Sequence, residues 1–512
     1  MSNSGSNKRI AKNTVMLYIR MFVTMGVLLY TSRIVLNTLG VEDFGIYNVV
    51  GGVVAMFAFL NGAMGASTSR FMTIELGKGD LEQLQKVFSV TIINHLIIIA
   101  IIFILGETIG LWFVCNELVI PEDRMHAVLW LYQFAILSSM VTFMQTPFNA
   151  VIIAHEKMNV YAWSSLGDSI LKLLVVYILI LLPYDKLILY GLLMFIVVCC
   201  LLLFYCFYVK YAFPYCFFSF QKDRKMYKIL FAYSGWDLIG NFSIIAQGQG
   251  LNMLLNIFFG PTVNAARSIT YQVQGAISQF GNNFMTAVQP QIIKYYATGE
   301  KEKMIELVFA SSKYSFFLTL MLSFPIFIEA EYVLTLWLKI VPEHTVEFTR
   351  IIILIALINS FRTPIITAMH ATGKIKVPNI ICGILLISTL PISYFFLKWG
   401  YAPESVFMIS FIITVLSMWT ELYLIKKLVG YSISQFFKKV FLLSTIVAFI
   451  SSIPLYLVYI NFSSSFSRLI AICCLSVITV TTIVYMIGIG KSTRLLINNK
   501  IRQNINKVKN NK

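Results

Sequence analysis

The chain has 512 residues, of which 58% are hydrophobic and 12% charged, with a formal net charge of +17. Soluble domains carry about a quarter charged residues, and large soluble chains divide into domains separated by polar surface. A soluble globular protein is therefore excluded, and lipid is the solvent that explains so much apolar surface.

A membrane-crossing helix needs roughly 20 mostly apolar residues. In chain order the sequence predicts such helices near 14–36, 45–69, 87–113, 127–153, 159–182, 187–209, 229–259, 263–290, 305–328, 346–370, 377–397, 404–425, 437–460 and 467–489. The fold class is thus an all-α integral membrane protein of about fourteen spans. Barrel strands would alternate over ~10-residue segments, and these runs are longer and continuously apolar.

The first span aligns Asn13, Arg20, Thr24 and Thr31 within about 40° of arc. Arg20 reads either as an anion site, because guanidinium holds phosphate oxygens in pairs, or as a snorkelling cation. Arg33 reads as the latter. The second span sets Asn48, Gly52, Ala55, Gly62 and Ala66 on one face, a pattern that lets helices approach closely. The fourth span contains Thr146-Pro147, a bend and a hinge candidate. The fifth carries Asp168 and Lys172 at i, i+4, an order that favours an internal ion pair over a proton relay.

The seventh and eighth spans are the most polar. One carries Asp237, Asn241, Gly248, Asn252 and Asn256 within about 100° of arc, and the other Arg267, Tyr271, Gln274, Ser278, Asn282 and Gln289 within about 80°. Unpaired amides are costly in lipid. Two coherent stripes on adjacent helices therefore point to a wet cavity whose amides suit sugar hydroxyls, with interhelical gluing as the plainer alternative. Asp237, with Asp168 and Lys172, is a coupling or structural charge. The tenth span repeats the proline motif as Thr363-Pro364.

Lys and Arg mark the cytoplasmic side. With Lys8, Arg9 and Lys12 inside, the same side collects Lys222, Arg224, Lys225, Lys228, Lys426, Lys427, Lys438, Lys439 and the basic tail, so both termini are expected in the cytoplasm. The net charge follows from this bias and needs no nucleic acid. Eight cysteines form no disulfide framework, and His95, His126, His155, His344 and His370 have no ligand set for a metal.

The chain also repeats itself at offsets of about 217 to 225. Leu39-Gly40 matches Phe259-Gly260, and Gly79-Asp80 matches Gly299-Glu300. Leu111-Trp112 with Pro121-Glu122 matches Leu336-Trp337 with Pro342-Glu343, and Thr146-Pro147 matches Thr363-Pro364. A six-helix unit is even, so the halves are expected to be parallel repeats, with the substrate site between them. The expected organisation is an N-terminal half at 1–210, a C-terminal half at 211–430, accessory helices at 431–490 and a basic tail at 491–512.

The 6+6+2 pattern, the arginine of the first span and the polar seventh and eighth spans resemble the multidrug/oligosaccharidyl-lipid/polysaccharide exporter superfamily. Within it the sequence is most similar to polysaccharide-transport flippases of the O-antigen (Wzx) type. The similarity is carried by Leu39-Gly40-Val41-Glu42-Asp43-Phe44-Gly45-Ile46-Tyr47, by Asn264-Ala265-Ala266-Arg267 through Tyr271-Gln272-Val273, and by Ala287-Val288-Gln289-Pro290-Gln291. It extends over residues 10–490.

The resemblance implies a transporter of the bacterial cytoplasmic membrane that moves undecaprenyl-diphosphate-linked oligosaccharide outward for surface polysaccharide assembly. Implied partners are that lipid-linked glycan, membrane lipids and glycan-assembly proteins. No cofactor is expected beyond a coupling ion, H+ or Na+. Arg20 and Arg267 occupy the helices that carry cavity cations in relatives, with Thr24, Tyr271, Gln274, Asn241, Asn252 and Asn256 as further lining. Two alternatives are a multidrug-type cation antiporter and a membrane-embedded glycan polymerase or ligase. The first two spans lack the acid common in drug exporters, and no catalytic loop or phosphate-cradling motif is present.

Overall fold

The computed structural model describes residues 3–58, 68, 71–72, 75–76, 79–155, 157–220, 224–374, 376–430, 432–488 and 494, and for 3–21, 158, 161–162, 224–241, 286–287, 290 and 297 the backbone alone. All regular elements among these residues are helical. They are α1 (Asn3–Ala55), α2 (Leu81–Leu105), α3 (Leu111–Asn116), α4 (Met125–Ala154), α5 (Met158–Leu181), α6 (Lys186–Ala212), α7 (Arg224–Phe259) and α8 (Pro261–Ala297). There follow α9 (Lys301–Ile328), α10 (Ala330–Leu338), α11 (Thr345–Ala371), α12 (Lys376–Lys398), α13 (Glu404–Val429), α14 (Ile433–Phe436), α15 (Leu443–Asn461) and α16 (Phe466–Ile483).

Among the described residues eleven helical stretches are long and apolar enough to cross a membrane, and the chain is a multi-pass membrane protein. Fourteen were expected. Two features account for much of the difference. Phe22–Ala55 counts once, although Gly40 (φ 81, ψ 170) breaks α1 into two arms where the sequence predicted two spans. The amide-rich α7 and α8 are not among the eleven.

Helix starts and breaks follow local chemistry. Asp80 caps α2 by accepting from Gln83 N, and Asp185 caps α6 by accepting from Leu187 N and Ile188 N, so each carboxylate satisfies otherwise unpaired amides. Gly40 and Gly260 both take positive φ, 81° and 76°, which a residue with a Cβ adopts only under strain.

The repeat reaches into individual hydrogen bonds. Gly79 N donates to Leu76 O and Asp80 N to Glu75 O, at 3.1 and 3.2 Å. Exactly 220 positions on, in the same pattern, Gly299 N donates to Tyr296 O and Glu300 N to Tyr295 O, at 3.1 and 2.9 Å. Gly79 and Gly299 share φ values of 75° and 78°. This is the left-handed helix end that glycine permits.

The chain divides into two compact units, one of Met1–Ile269, Leu338–Thr345 and Asn379–Val406, the other of Thr270–Trp337, Val346–Pro378 and Phe407–Lys512. In the first, α4 packs between α2 and α6. Its buried Tyr132 donates to Gly106 O at 2.7 Å, inside a π-helical turn at Gly106–Gly110 that joins α2 to α3. A Cβ on Gly110 would run into the Tyr132 hydroxyl. Arg124 ties three elements together, bonding Asp43 of α1 at 2.9 and 2.5 Å and Asp185 before α6 at 2.8 Å.

In the second unit, α9 buries Ser311, Ser312, Ser315, Thr319 and Ser323, small hydroxyl residues that let neighbours come close. Helix α16 runs antiparallel to α9 and is fixed at three levels. Arg468 donates to Glu329 at 2.7 Å, Ser476 to Met321 O at 2.9 Å, and Lys313 to Gly488 O, just past α16, at 3.4 Å.

Candidate functional site

The second arm of α1 presents Gly45, Asn48 and Gly52 at spacings of three and four, one face of a helix. A Cβ at Gly45 would collide with the backbone carbonyl of Pro261, the first residue of α8. A Cβ at Gly52 would lie 2.6 Å from Asn252 Nδ2 and 2.7 Å from Gln249 Oε1. Glycine at these places brings the α1 backbone against the α7–α8 hairpin. The hairpin itself turns at Gly260.

Amides then knit the three helices. Asn252 donates to Asn48 O at 3.1 Å, and Ser268 donates to the Asn48 side-chain oxygen at 2.7 Å. Asn264 donates to both the backbone and side-chain oxygens of Asn252, at 2.7 and 2.8 Å. Asn256 donates to Asn264 at 3.1 Å and accepts from Val119 N at 2.8 Å, fastening the segment after α3. Asn252, Asn256 and Asn264 are all buried. Each amide both donates and accepts, so the network balances its own polarity. One turn along, the buried Arg267 guanidinium donates to Gly248 O at 2.6 Å.

The sequence-derived candidates distribute as follows. Asn252, Asn256 and Arg267 come together in the first unit, with amides engaged by protein groups. Tyr271 and Gln274 continue along α8 in the second unit, both half-buried, with the Tyr271 ring centroid 6.4 Å from that of Phe407. Thr24 is half-buried on the first arm of α1. The side chains of Arg20, Asp237 and Asn241 lie outside the described residues. Lys172 donates to Asp168 at 2.7 Å within α5. Pro147 and Pro364 are buried inside α4 and α11.

Residues beside those prolines were missed. Gln145 donates to Val198 O of α6 at 2.9 Å. At the repeat-equivalent place Arg362 grips Glu421 of α13 with two bonds of 3.0 and 2.6 Å and also donates to Asn359 at 2.9 Å. A base in the tenth predicted span and an acid in the twelfth were the available signal, since intramembrane charges normally find partners.

Residues 10–296 match the family model described as polysaccharide biosynthesis protein. The match covers more than half of the chain, and the chain belongs to that family. No curated protein sequence matches. Among solved structures the chain is similar to the lipid II flippase MurJ in an inward closed conformation, with TM-score 0.69, 14% identity and coverage of 93% of this chain and 98% of that one. It is also similar to an inward-facing multidrug resistance MATE family transporter of the MOP superfamily, with TM-score 0.64, 15% identity and coverage of 80% and 96%. A MOP superfamily transporter from Pyrococcus furiosus matches with TM-score 0.58, 16% identity and coverage of 80% and 94%. At these identities the likeness is one of fold. The family match bears out the polysaccharide side of the resemblance read from the sequence, and the solved structures bear out its fold.

Proposed function

We propose that this member of the polysaccharide biosynthesis protein family is a flippase that carries undecaprenyl-diphosphate-linked oligosaccharide across the bacterial cytoplasmic membrane by alternating access. In this reading it serves surface polysaccharide assembly of the O-antigen type, with both termini in the cytoplasm. The family and the fold together favour a transporter over a membrane-embedded polymerase or ligase.

The observation that carries the substrate class is the buried guanidinium of Arg267 on the amide-rich α7–α8 hairpin. A cation retained in a membrane span is costly and marks a functional position. Guanidinium is the side chain best matched to the paired oxygens of a diphosphate, and the half-buried Gln274 two turns along α8 carries an amide suited to sugar hydroxyls. Arg20 is the second proposed cation. On the other side of the comparison, Lys172 already neutralises Asp168 within α5, which leaves that acid poorly suited to bind a cationic drug.

The test is surface-glycan staining of a deletion strain, with and without the restored gene, together with assay of lipid-linked oligosaccharide at each membrane face. Loss of surface glycan with intermediate trapped on the inner face is expected. Arg267→Ala should fail to restore export while Arg267→Lys restores it in part. Unchanged glycan together with altered drug tolerance would replace this reading with the multidrug one.

A further inference from the structure

A separate group of polar side chains lies in α2. Thr91, Asn94 and His95 follow one another at i, i+3 and i+4, on neighbouring parts of one helix face. They sit about 21 Å along the axis at His95, counted from Leu81, within the apolar span Leu81–Asn116. All three are buried, Asn94 and His95 completely. His95 Nδ1 lies 2.8 Å from Thr91 O. A carbonyl only accepts, so Nδ1 carries the hydrogen, and in the neutral ring Nε2 keeps a lone pair.

That Nε2 has no protein partner, and neither do Asn94 Nδ2, Asn94 Oδ1 or Thr91 Oγ1. Four buried polar atoms within five residues, all unpaired, are costly in lipid. Such groups persist in membrane proteins where they serve a ligand.

The neighbours identify the ligand's chemistry. Along α2 and the π-helical turn after it the flanking ionisable side chains are Lys86 and Glu107, more than two turns away on either side. Helix α4 packs along α2 through Phe88–Phe148 at 5.7 Å and through Phe143 against Ile98 and Ile102, and has no ionisable side chain between Tyr132 and His155. Residues 242–259 of α7 have none. Near the start of α2, α6 contributes Tyr205 and Tyr208, and the segment after it Tyr215 and Cys216. Among the described residues, no acid therefore stands opposite His95. One helix offers two neutral oxygens, too few to strip the water from a metal ion, whereas a single lone pair suffices for a proton.

We propose that His95, assisted by Asn94 and Thr91, is an intramembrane proton-binding site that couples transport to a proton gradient. The imidazole takes the proton on Nε2 from one face of the membrane, the neighbouring dipoles of Asn94 and Thr91 favour the charged ring, and the proton leaves toward the other face. The coupling role rests on the transporter reading above. The proton site stands on α2 alone.

Two measurements separate these. Full-length protein labelled with 15N-histidine contains five histidines, and the His95 signal is identified by its absence in His95→Gln. That signal is expected to titrate, and Asn94→Leu, which keeps the imidazole, is expected to shift its midpoint. In proteoliposomes loaded with lipid-linked oligosaccharide, an imposed pH gradient should drive transport by wild type but not by His95→Gln, and a sodium gradient should drive neither. A His95 signal that never titrates, or pH-driven transport that survives in His95→Gln, overturns the proposal. If His95 titrates while wild type moves no lipid-linked glycan, the site stands and the flippase reading falls. Should His95→Gln fail to fold, a shifted midpoint and a shifted pH profile of transport in Asn94→Leu support the proposal, and an unchanged pair overturns it.

Discussion

The amide network of Asn252, Asn256 and Asn264 in the first unit, on the α7–α8 hairpin, and the α11–α13 pair of the second both bury strong polar groups among apolar helices, by opposite means. The network uses neutral amides that trade hydrogen bonds with one another and with backbone groups. The α11–α13 pair uses full charges, Arg362 and Glu421, with side chains only 11% and 2% exposed. An amide that loses one partner can find another carbonyl. A buried carboxylate that loses its guanidinium cannot. The first arrangement can be rearranged at modest cost, and the second fixes one geometry.

The sharpest way to break this comparison is Arg362→Ala, which strands Glu421. Removing one partner of a buried pair costs about 3–5 kcal/mol, and thermal unfolding in micelles should show the largest loss here. Arg362→Leu with Glu421→Leu should recover most of it. Next comes Gly45→Ala. Its methyl meets a backbone carbonyl rather than a flexible side chain, so the hairpin must shift, at a cost of roughly 1–3 kcal/mol.

Asn252→Ala should cost less, roughly 1–2 kcal/mol, because interhelical hydrogen bonds in membranes are individually modest. A loss as large as that of Arg362→Ala would remove the distinction between rearrangeable and fixed. The smallest effect belongs to Asp185. Burial pushes its carboxyl up, but Arg124 and the amides of Ile188 and Leu187 outweigh it and hold the group below the usual carboxylate range. Its contribution is therefore present above the unfolded value of about 3.9 and is lost as pH falls through the lower folded value. Asp185→Asn should flatten that acid limb of a stability-against-pH curve while leaving stability at pH 7 only slightly reduced.

Local order was legible in the sequence. Gly40 and Gly260 break helices where the repeat put them, and the Gly79 and Gly299 ends match bond for bond, because those features depend on a few adjacent residues. Family and helical class followed from composition and from the Asn264–Val273 segment. Long-range partners were not legible. Nothing in the sequence joins Asp43, Arg124 and Asp185, because 61 to 81 residues of chain separate partners that bond directly. Asn264 figured in a motif without its partners, since nothing in helical periodicity says which stripe meets which. The His95 group was invisible for a related reason, because an unpaired atom is defined by what surrounds it.

The zipper between α9 and α16 has a consequence for how the protein is made. Glu329 and Arg468 are separated by 139 positions. At about 5–20 residues per second of synthesis, the carboxylate emerges roughly 7 to 28 s before the guanidinium that neutralises it. During that interval the ribosome and the insertion machinery hold a helix whose end bears an unmatched acid, and α9 gains its three fastenings to α16 only when that helix arrives. Truncation before residue 466 would make that wait permanent.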